Sequence, residues 1–402
     1  MEVIKLAIIF VLVMVALGLN RPMYLVMAGA AVLAGLFYAM PPGEWLRACA
    51  ASLTSSATVT LVLIVWLVML LEGVMNNNGY LSRLTTAMDA LFHSRRLNIL
   101  SMPVIIGFLP SAGGALLSAP LVAQAAEGCE LSPETLSNVN NYYRHIMELC
   151  FPTYSALLVL SQISGVSLAV LVTRLFPLAL LALLLGLLLL GRLPAQPRAQ
   201  RAGSPPFYKR LWRLLAAMWP FALLLLLIMA VKLSVPLSCG LTLAAVLLAT
   251  RTGPRQWPQL IRAKTKWRLL LITVSIMLFK DVLEASGALA ALPPLVSRLP
   301  LPPLIIYSLM CLFISMITGV VISSTGVVIP LLLATVPEAT PAMLCFLHVS
   351  GYIGAQITPT HSCVVLSADY FHASLPKAIL RSLPLYALIY LAALGTYLLL
   401  WP

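Results

Sequence analysis

The sequence predicts an all-α polytopic membrane protein made of two inverted-topology repeats, each with five spans, a re-entrant hairpin and a Pro-broken helix. Three observations carry this reading. The composition suits no water-soluble fold, three sequence matches recur in the same order in both halves, and the basic residues gather into a few loops.

Of the 402 residues 61% are hydrophobic and 9% charged, against roughly a quarter charged in an ordinary soluble domain. Apolar runs of spanning length, such as Ile4 to Leu19 and Leu175 to Leu190, recur along the chain. The first run is followed by no small-residue cleavage site and reads as a retained span rather than a signal peptide. The formal net charge of +13 comes largely from Arg83 to Arg96, Arg192 to Arg213 and Arg251 to Arg268. Clustered in this way, the charges read as cytoplasmic loops under the positive-inside rule, not as a nucleic-acid surface. The cysteines Cys49, Cys129, Cys150, Cys239, Cys311, Cys345 and Cys363 show no CxxC and no metal-ligand spacing. They read as small apolar helix residues, so the sequence assigns no metal site and no cofactor.

The repeat decides the architecture. Val68 to Leu81 aligns without gaps on Ile276 to Leu289, Ser111-Ala-Gly-Gly114 falls opposite Ser323-Ser-Thr-Gly326, and Phe151-Pro-Thr-Tyr-Ser155 falls opposite Thr358-Pro-Thr-His-Ser362. Pro22 and Pro236, each opening a helix, extend the match towards both N-termini. Spans or hairpins are expected near 3–19, 22–40, 52–76, 98–126, 138–163 and 168–192, and again near 213–231, 235–250, 267–290, 303–336, 341–366 and 378–400. The halves are then 1–192 and 213–402, joined by a proline-rich linker at 193–212. A hairpin that enters and leaves on one side gives five crossings per half, and an odd number inverts the second half. With both termini outside an inner membrane, all three basic stretches fall in the cytoplasm, the linker among them.

Irregular backbone survives in a bilayer only where protein buries it or water reaches it, so the breaks are the candidate sites. Ser111, Gly113 and Gly114 in one hairpin, and Ser323, Ser324, Thr325 and Gly326 in the other, are expected at the tips. There small residues let a ligand approach backbone amides; a packing patch of small residues is the competing reading. Pro152 and Pro359 break their spans and free carbonyls for a cation, beside the hydroxyls of Thr153 and Thr360 and the titratable His361. Simple kinks are the alternative.

Charges within spans are functional suspects. Arg144, His145 and Glu148 cluster just before Pro152, with Arg144 and Glu148 on one face. They read either as an internal ion pair, or as an anion handle with Glu148 as its resting partner or proton carrier. Glu72 and Lys280 occupy equivalent repeat positions, and Asp281, neutralised by Lys280 or carrying a coupling ion, follows. The run Asn76 to Asn78 reads as a helix end. HExxH, GxSxG, the paired-Asp prenyl motif and the Walker loop are all missing, which argues against an enzyme and against ATP-driven transport.

The stretches Leu109 to Pro120, Asn141 to Pro152 and Ser350 to His361 resemble those of a prokaryotic integral membrane family grouped with the ion-transporter superfamily, beside gluconate permeases, citrate transporters, divalent anion:sodium symporters and arsenite pumps. The resemblance covers essentially the whole chain. It implies hairpin tips that bind carboxylate and sodium together, and an elevator-like motion against a homodimeric scaffold. In the sodium-coupled symporters the tips read Ser-Asn-Thr; Ser323-Ser324-Thr325 keeps the ends of that triplet, and Ser111-Ala112-Gly113 keeps only the serine. The expectation is an ion-coupled secondary transporter of a small organic anion in the lipid bilayer, with Na+ or H+ as coupling ion and no nucleic-acid partner. A cation/proton antiporter using Glu148 and Asp281 is the runner-up. A non-transport scaffold or lipid-handling protein is the third reading.

Overall fold

The computed structural model describes residues 2–19, 21–80, 83–84, 86–87, 94–108, 114–190, 206–288 and 300–400. Two of the expected tip residues, Ser111 and Gly113, and most of the linker lie outside the described residues.

Among the described residues there are eighteen α-helices and no β-strand. The first nine are α1 (Glu2–Gly18), α2 (Met23–Phe37), α3 (Pro42–Thr54), α4 (Ser56–Asn77), α5 (Arg95–Gly107), α6 (Gly114–Ala125), α7 (Pro133–His145), α8 (Ser155–Ser164) and α9 (Leu168–Leu185). The second nine are α10 (Phe207–Leu225), α11 (Val235–Ala249), α12 (Trp257–Lys264), α13 (Trp267–Ala285), α14 (Pro303–Thr318), α15 (Val321–Thr335), α16 (Pro341–Gln356), α17 (Ser362–Tyr370) and α18 (Leu375–Leu400). A 3-10 turn, Ile146–Leu149, prolongs α7, and a π-helical turn, Leu226–Ala230, prolongs α10.

Equivalent helices start by the same chemistry. Ser132 accepts the Thr135 amide at 3.3 Å with Pro133 next in line, and Thr340 accepts the Met343 amide at 3.3 Å with Pro341 next. A hydroxyl cap satisfies an orphan N–H, and proline at the first position has no N–H to leave unmet. The expected breaks are present. The helical path stops at Leu149 and resumes at Ser155, and α16 stops at Gln356 with α17 starting at Ser362. Two short helices, α3 and α12, fall where the sequence reading left loops. Both are more polar than a span and carry no apolar run that marks them.

One expected tip moves. The turn between α14 and α15 is made by Gly319, at φ 71°, and Val320, while Ser323, Ser324, Thr325 and Gly326 lie within α15. Only glycine takes that left-handed backbone without penalty, so the chain reverses at Gly319 and leaves the small polar run free to be helical.

Several of the largest contacts come in pairs, related by exchanging each helix with the one nine places along. Thus α2 packs on α13 as α11 packs on α4, α5 on α6 as α14 on α15, and α5 on α7 as α14 on α16. The second helix of each hairpin meets the resumed helix of the opposite half, α6 on α17 and α15 on α8. The centre lies among α15 and α16, buried along nearly their whole length, and α7, buried from Ser137 onward. The periphery is apolar: Val11, Leu36, Leu184, Leu248 and Leu391 are all exposed, a surface that water would oppose and lipid accepts. Ser56–Asn77, Leu168–Leu188, Phe207–Ala230 and Leu375–Leu399 are long and apolar enough to cross a membrane.

Candidate functional site

Helix α7 carries its polar residues into the interior. Asn138, Asn140, Asn141, Arg144 and His145 are all buried, where polar side chains as a rule need hydrogen-bond partners. Asn140 Nδ2 donates to the Ala115 carbonyl at 3.0 Å and to Ser367 Oγ at 2.9 Å, tying α7 to the first hairpin and to α17. Asn141 Nδ2 donates to Gln356 Oε1 at 3.1 Å, and Gln356 Nε2 donates to Glu148 Oε2 at 3.3 Å. Glu148 is thus tied to the end of α16, while Arg144 Nη1 donates to His145 Nε2 at 2.9 Å and to Cys363 Sγ at 3.3 Å.

A matched pair of hydrogen bonds fixes each hairpin to the break of its own half. Tyr154 and His361 stand at equivalent repeat positions, both as the residue that precedes a resumed helix, with ψ 126° and 111°. The Tyr154 hydroxyl donates to the Gly107 carbonyl at 2.6 Å, and His361 Nδ1 donates to the Gly319 carbonyl at 2.5 Å. Both acceptors are glycines at the ends of hairpin helices, and both sit against backbone: a Cβ at Gly107 would strike the Arg144 carbonyl, and one at Gly319 would come within 2.5 Å of the Thr360 carbonyl. Tyr154→Phe leaves a buried carbonyl without its donor. It is expected to cost about 1–3 kcal/mol, read as a lower melting temperature of the detergent-solubilised protein; an unchanged melt would remove the pin from the account.

Backbone carbonyls only accept, so the proton sits on Nδ1 of both imidazoles, because His145 Nδ1 faces the Asn141 carbonyl at 2.7 Å. The two Nε2 atoms then face each other at 3.1 Å. With Cys363 Sγ they form a buried group whose donor atoms all lie within 4.8 Å of one another, a set able to hold a metal ion. Sequence spacing hid this set, since the ligands come from opposite halves; the only local trace is His361 and Cys363 at i and i+2.

Beside the break in the first half lies a recess lined by Val65, Met69, Glu72, Thr153, Ser155 and Lys266. Lys266 Nζ pairs with Glu72 Oε2 at 3.3 Å. Thr153 is buried, and its hydroxyl has no hydrogen-bond partner among the described residues. Its repeat equivalent, Thr360, is spent differently, donating with Thr358 to the Met316 carbonyl at 2.6 and 2.7 Å.

The remaining expected residues divide. Pro152 and Pro359 lie in the two breaks, and Gly114 is the first residue of α6. Ser323 meets Met23 Sδ at 3.1 Å, whereas Ser324 and Thr325 donate to the Val321 carbonyl at 2.9 and 3.2 Å, so these hydroxyls are satisfied inside the second hairpin and against α2. A Cβ at Gly326 would crowd Ile276, which makes that glycine a helix-packing position. Asp281 pairs with its neighbour Lys280 at 3.0 Å and is tied to its own helix. Asn141, Gln356 and His348, which the sequence does not single out as site residues, also belong to the junction; His348 Nε2 lies 3.4 Å from the Glu148 carbonyl.

An apolar exterior around a buried polar junction defines a polytopic helical membrane protein. The chain belongs to the family described as Protein of unknown function (DUF401), which matches residues 3–400. Among solved structures it is similar to the crystal structure of the Alcanivorax borkumensis YdaH transporter, described as having an unusual topology. That likeness has a TM-score of 0.62 at 14% identity and covers 89% of this chain and 89% of that one. At such identity the likeness shows the fold. No curated protein matches.

Proposed function

We propose that this protein is an ion-coupled secondary transporter of a small, carboxylate-like organic anion, working by alternating access. The observation that carries the reading is the junction itself, where two interrupted helices and two hairpins meet around the buried cation of Arg144. Interrupted helices facing one another at a pseudo-symmetric centre are how many secondary transporters build a midplane site. The fold shared with the YdaH transporter supports the class. Thr153, whose hydroxyl has no partner among the described residues, and Ser155 stand ready to orient a cargo in the adjoining recess beside Lys266.

The exchange symmetry of the packing supports two inverted repeats. Helices α5 and α6 have 13 and 12 residues, about 20 Å each at the α-helical rise and short of a bilayer core of about 30 Å, which supports a re-entrant hairpin. The moving part is then the two hairpins with α7, α8, α16 and α17, sliding as an elevator against α2, α4, α11 and α13 in a homodimer. Na+ or H+ is the coupling ion, with Glu148 the carboxylate nearest the junction. Both termini lie outside the inner membrane and residues 193–212 in the cytoplasm.

Purified protein screened against organic acids, with sodium, potassium and pH varied, tests the cargo. A ligand that binds the native state at a hundred times its Kd stabilises it by about 2.7 kcal/mol, a readable rise in melting temperature. Stabilisation by cations alone, with exchange in proteoliposomes and no organic anion effective, would sink the anion reading and leave the antiporter. For topology, Ser204→Cys is expected to resist an impermeant thiol reagent in intact cells and to label after lysis; strong labelling from outside would overturn the five-crossing count.

A further inference from the structure

We propose that His145, His361 and Cys363 form a binding site for a thiophilic metal ion, monovalent copper in preference to divalent zinc. The site shares the junction with the proposed cargo, but the inference rests on the orientation of three side chains and needs neither cargo nor coupling ion.

The first ground is ring orientation. Each imidazole donates Nδ1–H to a backbone carbonyl, His145 to Asn141 at 2.7 Å and His361 to Gly319 at 2.5 Å. Such an outer bond is what fixes the tautomer and aim of a metal-binding histidine, turning the lone pair of Nε2 towards the ion. The second ground is convergence. With both rings donating through Nδ1, the two Nε2 lone pairs 3.1 Å apart converge on one point, which a proton or a metal ion between them satisfies. Nitrogens bound to one ion at about 2.0 Å stand about 3.3 Å apart. With all three donors within 4.8 Å, the thiol closes the set by a shift of about 1 Å.

Charge and burial select the ion. Imidazole and thiolate ligands suit copper(I) and zinc. His145 is 2% exposed, His361 7% and Cys363 4%, so an uncompensated charge here is costly. Copper(I) bound by one thiolate and two neutral imidazoles gives a neutral centre; zinc would leave a further positive charge beside the Arg144 guanidinium. On binding, the Cys363 thiol releases its proton. Arg144 gives up its contact with His145 Nε2 and keeps its hydrogen bond to Sγ as an outer-sphere donor.

The full-length protein in detergent is titrated anaerobically with copper(I) against a chromogenic copper(I) chelator, and the loaded protein is examined by X-ray absorption. The expected result is one equivalent of copper with one sulfur and two nitrogen scatterers. Cys363→Ser and His361→Asn should each weaken binding at least tenfold, whereas Cys311→Ser, a buried cysteine of α14, leaves it unchanged. The absorption spectrum of the wild type needs no variant to fold, so an environment without sulfur overturns the proposal. Failure of the wild type to compete with the chelator does the same, and equal or tighter retention of zinc overturns the choice of a monovalent ion.

Discussion

Gly319→Val is expected to lower the melting temperature of the solubilised protein more than any conservative change in the periphery, and to abolish transport. Two costs add at this position. The backbone stands at φ 71°, where an L-side chain pays about 1–2 kcal/mol. The new Cβ also comes within 2.5 Å of the Thr360 carbonyl and 2.8 Å of the His361 amide. Backbone cannot yield as a flexible side chain can, and overpacking of this kind costs about 1–3 kcal/mol more. A total of about 2–5 kcal/mol is a large share of the stability of an ordinary domain, about 5–15 kcal/mol. The damage would also fall where His361 fastens the hairpin to the break, so any protein that survives should have lost the junction. Gly29→Ala, with open space around its Cβ, is the control and should melt within a degree or two of the wild type. A Gly319→Val protein that melts like that control would show that the hairpin end is not held against the second break.

The other large effect separates anion carrier from cation/proton antiporter. Arg144 is 3% exposed and reaches both halves, through His145 on its own helix and Cys363 on α17. If its guanidinium takes the cargo carboxylate, Arg144→Lys should weaken binding about tenfold to a hundredfold despite the retained charge. A planar guanidinium grips a carboxylate with two parallel hydrogen bonds, and a charge-assisted bond is worth about 1.5–3 kcal/mol. Glu148→Gln should then change the pH dependence of uptake more than the identity of the cargo. In an antiporter the order reverses: Glu148→Gln stops exchange outright, and Arg144→Lys is tolerated. Uptake and exchange in proteoliposomes, with cargo binding measured alongside, distinguish the two. Unaffected binding in Arg144→Lys would reduce Arg144 to a structural role within the α7–α17 contact.

The long apolar helices and both breaks are legible in the sequence, because each is a local matter, whereas the short polar helices α3 and α12 are not. Long apolar runs bound for lipid, Ser132-Pro133 and Thr340-Pro341 as helix starts, and Pro152 and Pro359 as interruptions act over a few residues, and their order repeats in the chain. The second hairpin turns at Gly319, about four residues before the run Ser323 to Gly326 that matches Ser111 to Gly114, because glycine alone takes the left-handed backbone there without strain. What only the tertiary structure decided is which polar groups face one another. Glu72 meets Lys266 and not Lys280, its repeat counterpart; Glu148 bonds Gln356, some 208 residues away; and His145 meets His361 and Cys363 across the two halves. Hydroxyls alike in sequence diverged as well, Thr360 being consumed by the Met316 carbonyl while Thr153 stays open to the recess. Burial drives most polar groups to find a partner, but the choice of partner depends on how the helices pack in three dimensions, which no local pattern records.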